Sequence, residues 1–94
     1  MAANISGCFY DAITLVQQIN TPFTITTVDS ANNQIGFGPF ANGTYNLTPT
    51  TTQPDRRLTF YVYNYNTGEK VATVTNLDGN ANRVQEVDIL ILNP

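Results

Sequence analysis

From residue 9 onward most apolar side chains recur two positions apart, the period of a strand with one buried face. The clearest run is LTFYVYNYN, residues 58–66: Leu58, Phe60 and Val62 share one face, and Tyr61, Tyr63 and Tyr65 the other. Upstream, FYDAITLVQQI predicts a strand over residues 9–19, with Phe9, Ile13, Leu15 and Ile19 on one side. Its β-branched residues and the lack of a helix cap favour strand over helix. Thr21-Pro22 ends it, because proline lacks a ladder donor and restrains the residue before it. FTITTVD then predicts a second strand with Phe23, Ile25 and Thr27 inward, closed by the turn cluster at 30–33.

QIGFGPF predicts a short third strand with Ile35 and Phe37 inward. Gly36 and Gly38 leave its opposite face bare, which suits a bulge or a close backbone approach. Asn42-Gly43 is a two-residue hairpin signal, with positive φ expected at both positions, leading into TYNLT with Tyr45 and Leu47 on one face. PTTTQPD, residues 49–55, reads as an exposed loop. After the tyrosine strand, NTGE turns the chain into KVATVT, and NLDGNAN (76–82) turns it again into the last strand, RVQEVDILILN. Seven short strands with a turn signal about every ten residues predict an all-β, single-domain antiparallel β-sandwich, jelly-roll-like, over residues 9–94. Residues 1–8 lack a period of their own and read as an N-terminal arm that a neighbouring molecule would tether.

Composition adds one anomaly. The chain has 94 residues, enough for one small core, and 41% are hydrophobic, as in folded proteins. Charged residues are only 12%, about half the usual ~25%. Fourteen Thr and twelve Asn supply the polarity instead, so few like charges oppose self-association. With Arg56, Arg57, Lys70 and Arg83 as the cations and a net charge of −3, phosphate neutralisation is weak and nucleic acid is not an expected partner. No apolar run reaches the ~18 residues of a membrane helix, and MAANISGCFYDA lacks the basic-then-apolar order of a secretion signal. The compartment therefore stays open, although the hydroxyl- and amide-rich composition suits an exposed or extracellular setting. Asn4 and Asn42 head two Asn-x-Ser/Thr sequons, a frequency that chance explains in so Asn- and Thr-rich a chain.

Catalytic chemistry finds no foothold. The absence of His removes the base of a nucleophilic triad, and one Cys without His makes no zinc site. GFGPFANG lacks the Lys and helix of a phosphate loop. Asp78, Asn80 and Asn82 alternate like calcium donors, but the sixth and twelfth positions are Arg83 and Ile89, where that loop needs Gly and Glu. Glu86 and Asp88 lie two apart on one strand, without an enclosing cleft. Neither enzymatic activity nor a cofactor is expected.

Two surfaces remain. A two-layer sandwich exposes the outer face of each sheet, yet Leu90 and Leu92 alternate with Ile89 and Ile91, which makes the last strand apolar on both sides. The tyrosines either cover the 49–55 loop, stand exposed as good strand formers, meet another subunit or stack on sugar, and the last strand is either covered by that loop or meets another subunit. Cys8 either is a small buried apolar residue or links two subunits. FANGTYNLTPT resembles the hairpin of many extracellular β-sandwich modules. In outline, a β-sandwich with a cysteine-bearing arm is similar to the jelly-roll subunits of bacterial spore appendages, which carry several cysteines where this chain has one.

The sequence is therefore read as a self-assembling structural subunit of a filament, appendage, shell or coat, a homo-oligomer whose interface uses Cys8, Tyr61, Tyr63, Tyr65, Leu90 and Leu92. The alternative is a lectin-like module that binds glycans through Tyr61, Tyr63 and Tyr65, with Asn64 and Asn66 at the rim.

Overall fold

The computed structural model describes residues 3–79 and 83–92. Eight strands form a β-sandwich: β1 Asn4–Asp11, β2 Phe23–Val28, β3 Gln34–Phe40, β4 Thr44–Leu47, β5 Arg57–Asn64, β6 Lys70–Asp78, β7 Val84–Glu86 and β8 Ile89–Ile91. No helix is present among the described residues. One sheet has the order β3-β2-β5-β6, antiparallel throughout. In the other, β1 is central, with β4 antiparallel on one side and β7 and β8 parallel to it on the other.

The core lies between the sheets. Leu58, Phe60 and Val62 of β5 stand beside Phe23 and Ile25 of the neighbouring β2, and across the gap stand Ile5, Phe9, Tyr45, Leu47, Ile89 and Ile91. Aromatic rings bridge the layers: Phe9 lies 4.8 Å from Phe23, and Tyr45 meets Phe60 edge-on at 6.3 Å. Burying each such ring contributes about 1.5–3 kcal/mol, which sets the register of both sheets. Thr27, inward as its position requires, has a buried hydroxyl with no hydrogen-bond partner among the described residues.

The first strand begins earlier than the alternation at 9–19 suggests. Ala3, Ile5, Gly7 and Phe9 form the inward row, so residues 4–8 belong to the central strand and are no arm. After Asp11 the chain turns, leaving Ile13, Leu15 and Ile19 exposed. The reason is visible in the face itself: a strand burying those residues would also bury Asp11 and Gln17. An unpaired buried carboxylate costs several kcal/mol.

Asn42 and Gly43 adopt the expected positive φ of 64° and 75°. They do not close a hairpin, however, because β3 and β4 lie in different sheets and the turn carries the chain across the sandwich. Ile35, expected inward, is 45% exposed, because β3 is an edge strand that overhangs the core. Strand β6 runs on to Asp78, with Asn76 at φ 60°, so the turn expected over 76–82 starts later; Asn80 and Asn82 lie outside the described residues. In the 49–55 loop Pro49 is buried, and Thr51, Ser30, Asp29 and Asp55 link the rest to the β2–β3 turn.

The last strand breaks in two at Val87–Asp88. A Cβ on Gly7 would lie 1.9 Å from the Val87 carbonyl oxygen, so only glycine admits this close crossing. Two bonds carry the interruption. The Val87 N–H donates to the Ser6 carbonyl at 2.8 Å, and the Cys8 N–H donates to Asp88 Oδ1 at 3.0 Å. The buried Tyr45 hydroxyl donates to the Val87 carbonyl, and burial pushes its phenol above the ordinary range.

Candidate surface sites

The six residues expected to form one interface lie on two opposite layers. Tyr61 and Tyr63 project from the outer face of the β3-β2-β5-β6 sheet, since Leu58, Phe60 and Val62 occupy the inner one. Tyr65 follows the strand; it is exposed, and its N–H donates to the Pro22 carbonyl at 3.0 Å. Cys8 and Leu90 belong to the outer side of the other sheet, where Leu90 pairs with Tyr10, two residues beyond Cys8. Cys8 is a half-buried free thiol in the middle of β1, between β4 and β8.

On the tyrosine side, strand pairing lines up Gly36, Thr26, Tyr61 and Thr73 across four strands. Thr24, Tyr63 and Lys70 form the next row. A side chain on Gly36 would meet nothing within 4 Å, so this row is open at the β3 edge. The Lys70 ammonium stands 5.3 Å from the Tyr61 ring centre, a cation–π contact worth about 0.5–1 kcal/mol. Of the 49–55 loop, Thr51 and Asp55 bond to the β2–β3 turn, and the Pro49 carbonyl accepts from the Ala3 N–H. Asn64 is committed to its own turn, with Oδ1 accepting from the Asn66 and Thr67 N–H groups at 2.9 and 3.3 Å. Its carbonyl accepts from Gly68 N–H at 2.7 Å, which leaves Asn66 as the exposed amide there.

On the β8 side, Ile89 and Ile91 are buried while Leu90 and Leu92 are 51% and 66% exposed. The two-faced character of this strand is real, and among the described residues its outer side is left largely open to solvent. Directly beside it stands a feature that sequence alternation missed. The Ala12 N–H donates to the Ile91 carbonyl at 2.9 Å, which docks the Ala12–Val16 turn against β8. Asp11 builds that turn: its Oδ1 accepts from the N–H groups of Ile13 and Thr14, at 2.7 and 3.0 Å. These bonds hold its carboxyl below the ordinary aspartate value. The Leu15 N–H donates to the Asp11 carbonyl, the Asp11 N–H to the Val16 carbonyl, and the Val16 N–H to Thr14 Oγ1. The signal that locates this turn is Asp11 followed by Thr14, two side chains that bond nearby backbone.

Charge is sparse on both faces. The ion pairs Arg57–Asp55 at 2.7 Å and Arg83–Asp78 at 3.0 Å are exposed. Among the described residues no three His, Cys, Asp or Glu converge as a metal site, and no helix is long and apolar enough to cross a membrane. Compared with known proteins, the chain matches no family model, no curated protein and no solved structure.

Proposed function

We propose that this protein is a non-enzymatic structural subunit that assembles with copies of itself. The observation that carries the reading is the exposure of Leu90, on the outer side of β8, and of Leu92, which follows that strand, although both are large aliphatic residues. Monomers seldom leave such side chains grouped in the open, and a chain with only 12% charged residues presents little repulsion to a second copy. Cys8, placed within a sheet rather than on an arm, is not required for the contact, so reductant leaves assembly unchanged. Light scattering with negative-stain electron microscopy tests the reading, with and without reductant. Filaments, rings or shells support it. A uniform 10.3 kDa particle up to millimolar concentration overturns it.

A second reading has one specific observation in its favour. The rows of Thr24, Thr26, Tyr61, Tyr63 and Thr73 put flat rings among hydroxyls beside the bare Gly36, an arrangement suited to stacking and hydrogen bonding with a sugar. Here Tyr63→Ala abolishes binding to any glycan that an array identifies. An array without hits removes this reading.

A further inference from the structure

We infer that the Ala12–Val16 turn, with Leu90 and Leu92, is the primary contact through which one copy of this chain binds a second. The inference rests on the self-assembly reading and names the surface it uses.

Three observations support it. First, the turn is built to hold apolar groups outward. Ile13, Leu15 and Val16 are 86%, 64% and 61% exposed. They sit on a segment fixed by two bonds to the Asp11 carboxylate, two to its backbone and one to Thr14. A loop that exposed these residues merely through looseness would not carry such a network. Leu15 also takes φ 60°, a left-handed conformation unfavourable for a leucine, and the turn keeps it there. A contact arranged in this way loses little conformational freedom on binding.

Second, the size fits a second copy. The three turn residues join Leu90 and Leu92 through the Ala12–Ile91 hydrogen bond and the Asp11–Ile91 strand pair. At their exposures the five side chains present on the order of 600 Å², the upper end for a patch on a monomer and close to the ~800 Å² each partner gives to a stable interface.

Third, the turn itself is free of charge. No Lys, Arg, Asp or Glu lies between Ala12 and Asn20, and the Asp11 carboxylate is taken up by the turn. An isologous pairing centred on this segment sets apolar surface against apolar surface, with Glu86, paired with Ser6, and Asp88, bonded to the Cys8 N–H, as the acidic neighbours of Leu90. Neither Tyr61, which carries Lys70 over its ring, nor the half-buried Cys8 offers a comparable apolar area.

Sedimentation velocity over a concentration series, with circular dichroism to confirm folding, tests the surface. Ile13→Asp is expected to weaken association at least tenfold, and Leu90→Ser with Leu92→Ser to do the same. Leu15→Asn suits the left-handed φ better than leucine, so it folds at least as well as the parent while associating less. Tyr61→Ser with Tyr63→Ser leaves association unchanged. If the parent associates and only the tyrosine variants weaken it, this surface is wrong and the self-assembly reading stands. If the parent stays monomeric at every concentration, both fall. A parent that stays monomeric yet binds neutral phosphatidylcholine vesicles through Ile13 assigns the patch to a lipid surface and overturns the second copy.

Discussion

Strand β5 and the segment from Asp11 to Ile19 carry the same kind of alternation and meet opposite fates. Leu58, Phe60 and Val62 form an unbroken inward row at the centre of the sandwich. Ile13, Leu15 and Ile19 form an equivalent row on paper, yet all three stand in solvent. The difference lies in the residues between. In β5 every second position is apolar, whereas the other row is interrupted by Asp11 and Gln17. Burying those groups costs more than the flanking aliphatics gain, so Asp11 turns the chain and spends its carboxylate on two backbone N–H groups. A period-two pattern is evidence of a buried face only when each position on that face can be buried.

The largest expected effect tests this contrast directly. Phe60→Ala should cost about 3–5 kcal/mol in urea unfolding, as a cavity between two sheets demands, while Ile13→Ser should stay within about 0.5 kcal/mol of the parent. Equal losses would break the comparison. Next is Gly7→Ala, whose methyl group collides with the Val87 carbonyl and should cost about 2–4 kcal/mol. That crossing lies where the last strand breaks, so an unaffected melt would remove this account of the break. A smaller change of opposite sign comes from Leu15→Asn, which should raise monomer stability by about 0.5–1 kcal/mol by relieving the left-handed leucine.

Acid provides the smallest effect. Hydrogen bonds from Thr14 and Ile13 lower the Asp11 carboxyl below its ordinary 3.8, and those from Arg57, with its charge, hold Asp55 at about 2. A carboxylate depressed in the folded state contributes stability that is present above pH ~3.8 and disappears as pH falls through the folded value. Melting temperature should therefore be level from pH 7 to 5 and decline between pH 4 and 2. The Ile13 and Thr14 amide resonances should shift over the same interval, while those of Phe60 and Val62 stay put.

Much of the architecture was legible in the sequence. Strands β2, β4 and β5 and their inward faces follow from alternation, and the turn expected at 66–69 is present, although it begins at Asn64. Alternation separated Leu90 and Leu92 from Ile89 and Ile91, and the structure leaves the first pair exposed and the second buried. What alternation could not carry is pairing. Asn42-Gly43 has the dihedrals of a hairpin turn yet joins two sheets, because local φ values do not decide which strand a segment binds. The inward row Ala3, Ile5, Gly7 and Phe9 was hidden by its small members, since alanine and glycine add little to a hydrophobic pattern. For the same reason the six candidate interface residues looked like one surface and are two: nothing local tells a strand which layer it joins.

The claim at the centre of this account is that Ile13, Leu15, Val16, Leu90 and Leu92 are exposed in the single chain and covered by a second copy. Methyl NMR with a soluble paramagnetic probe measures both halves at once. In dilute protein these methyls should relax strongly while those of Ile5, Val62 and Ile89 do not; at high concentration the five should become protected together. Strong relaxation of all five at every concentration, in a particle of 10.3 kDa, would contradict it.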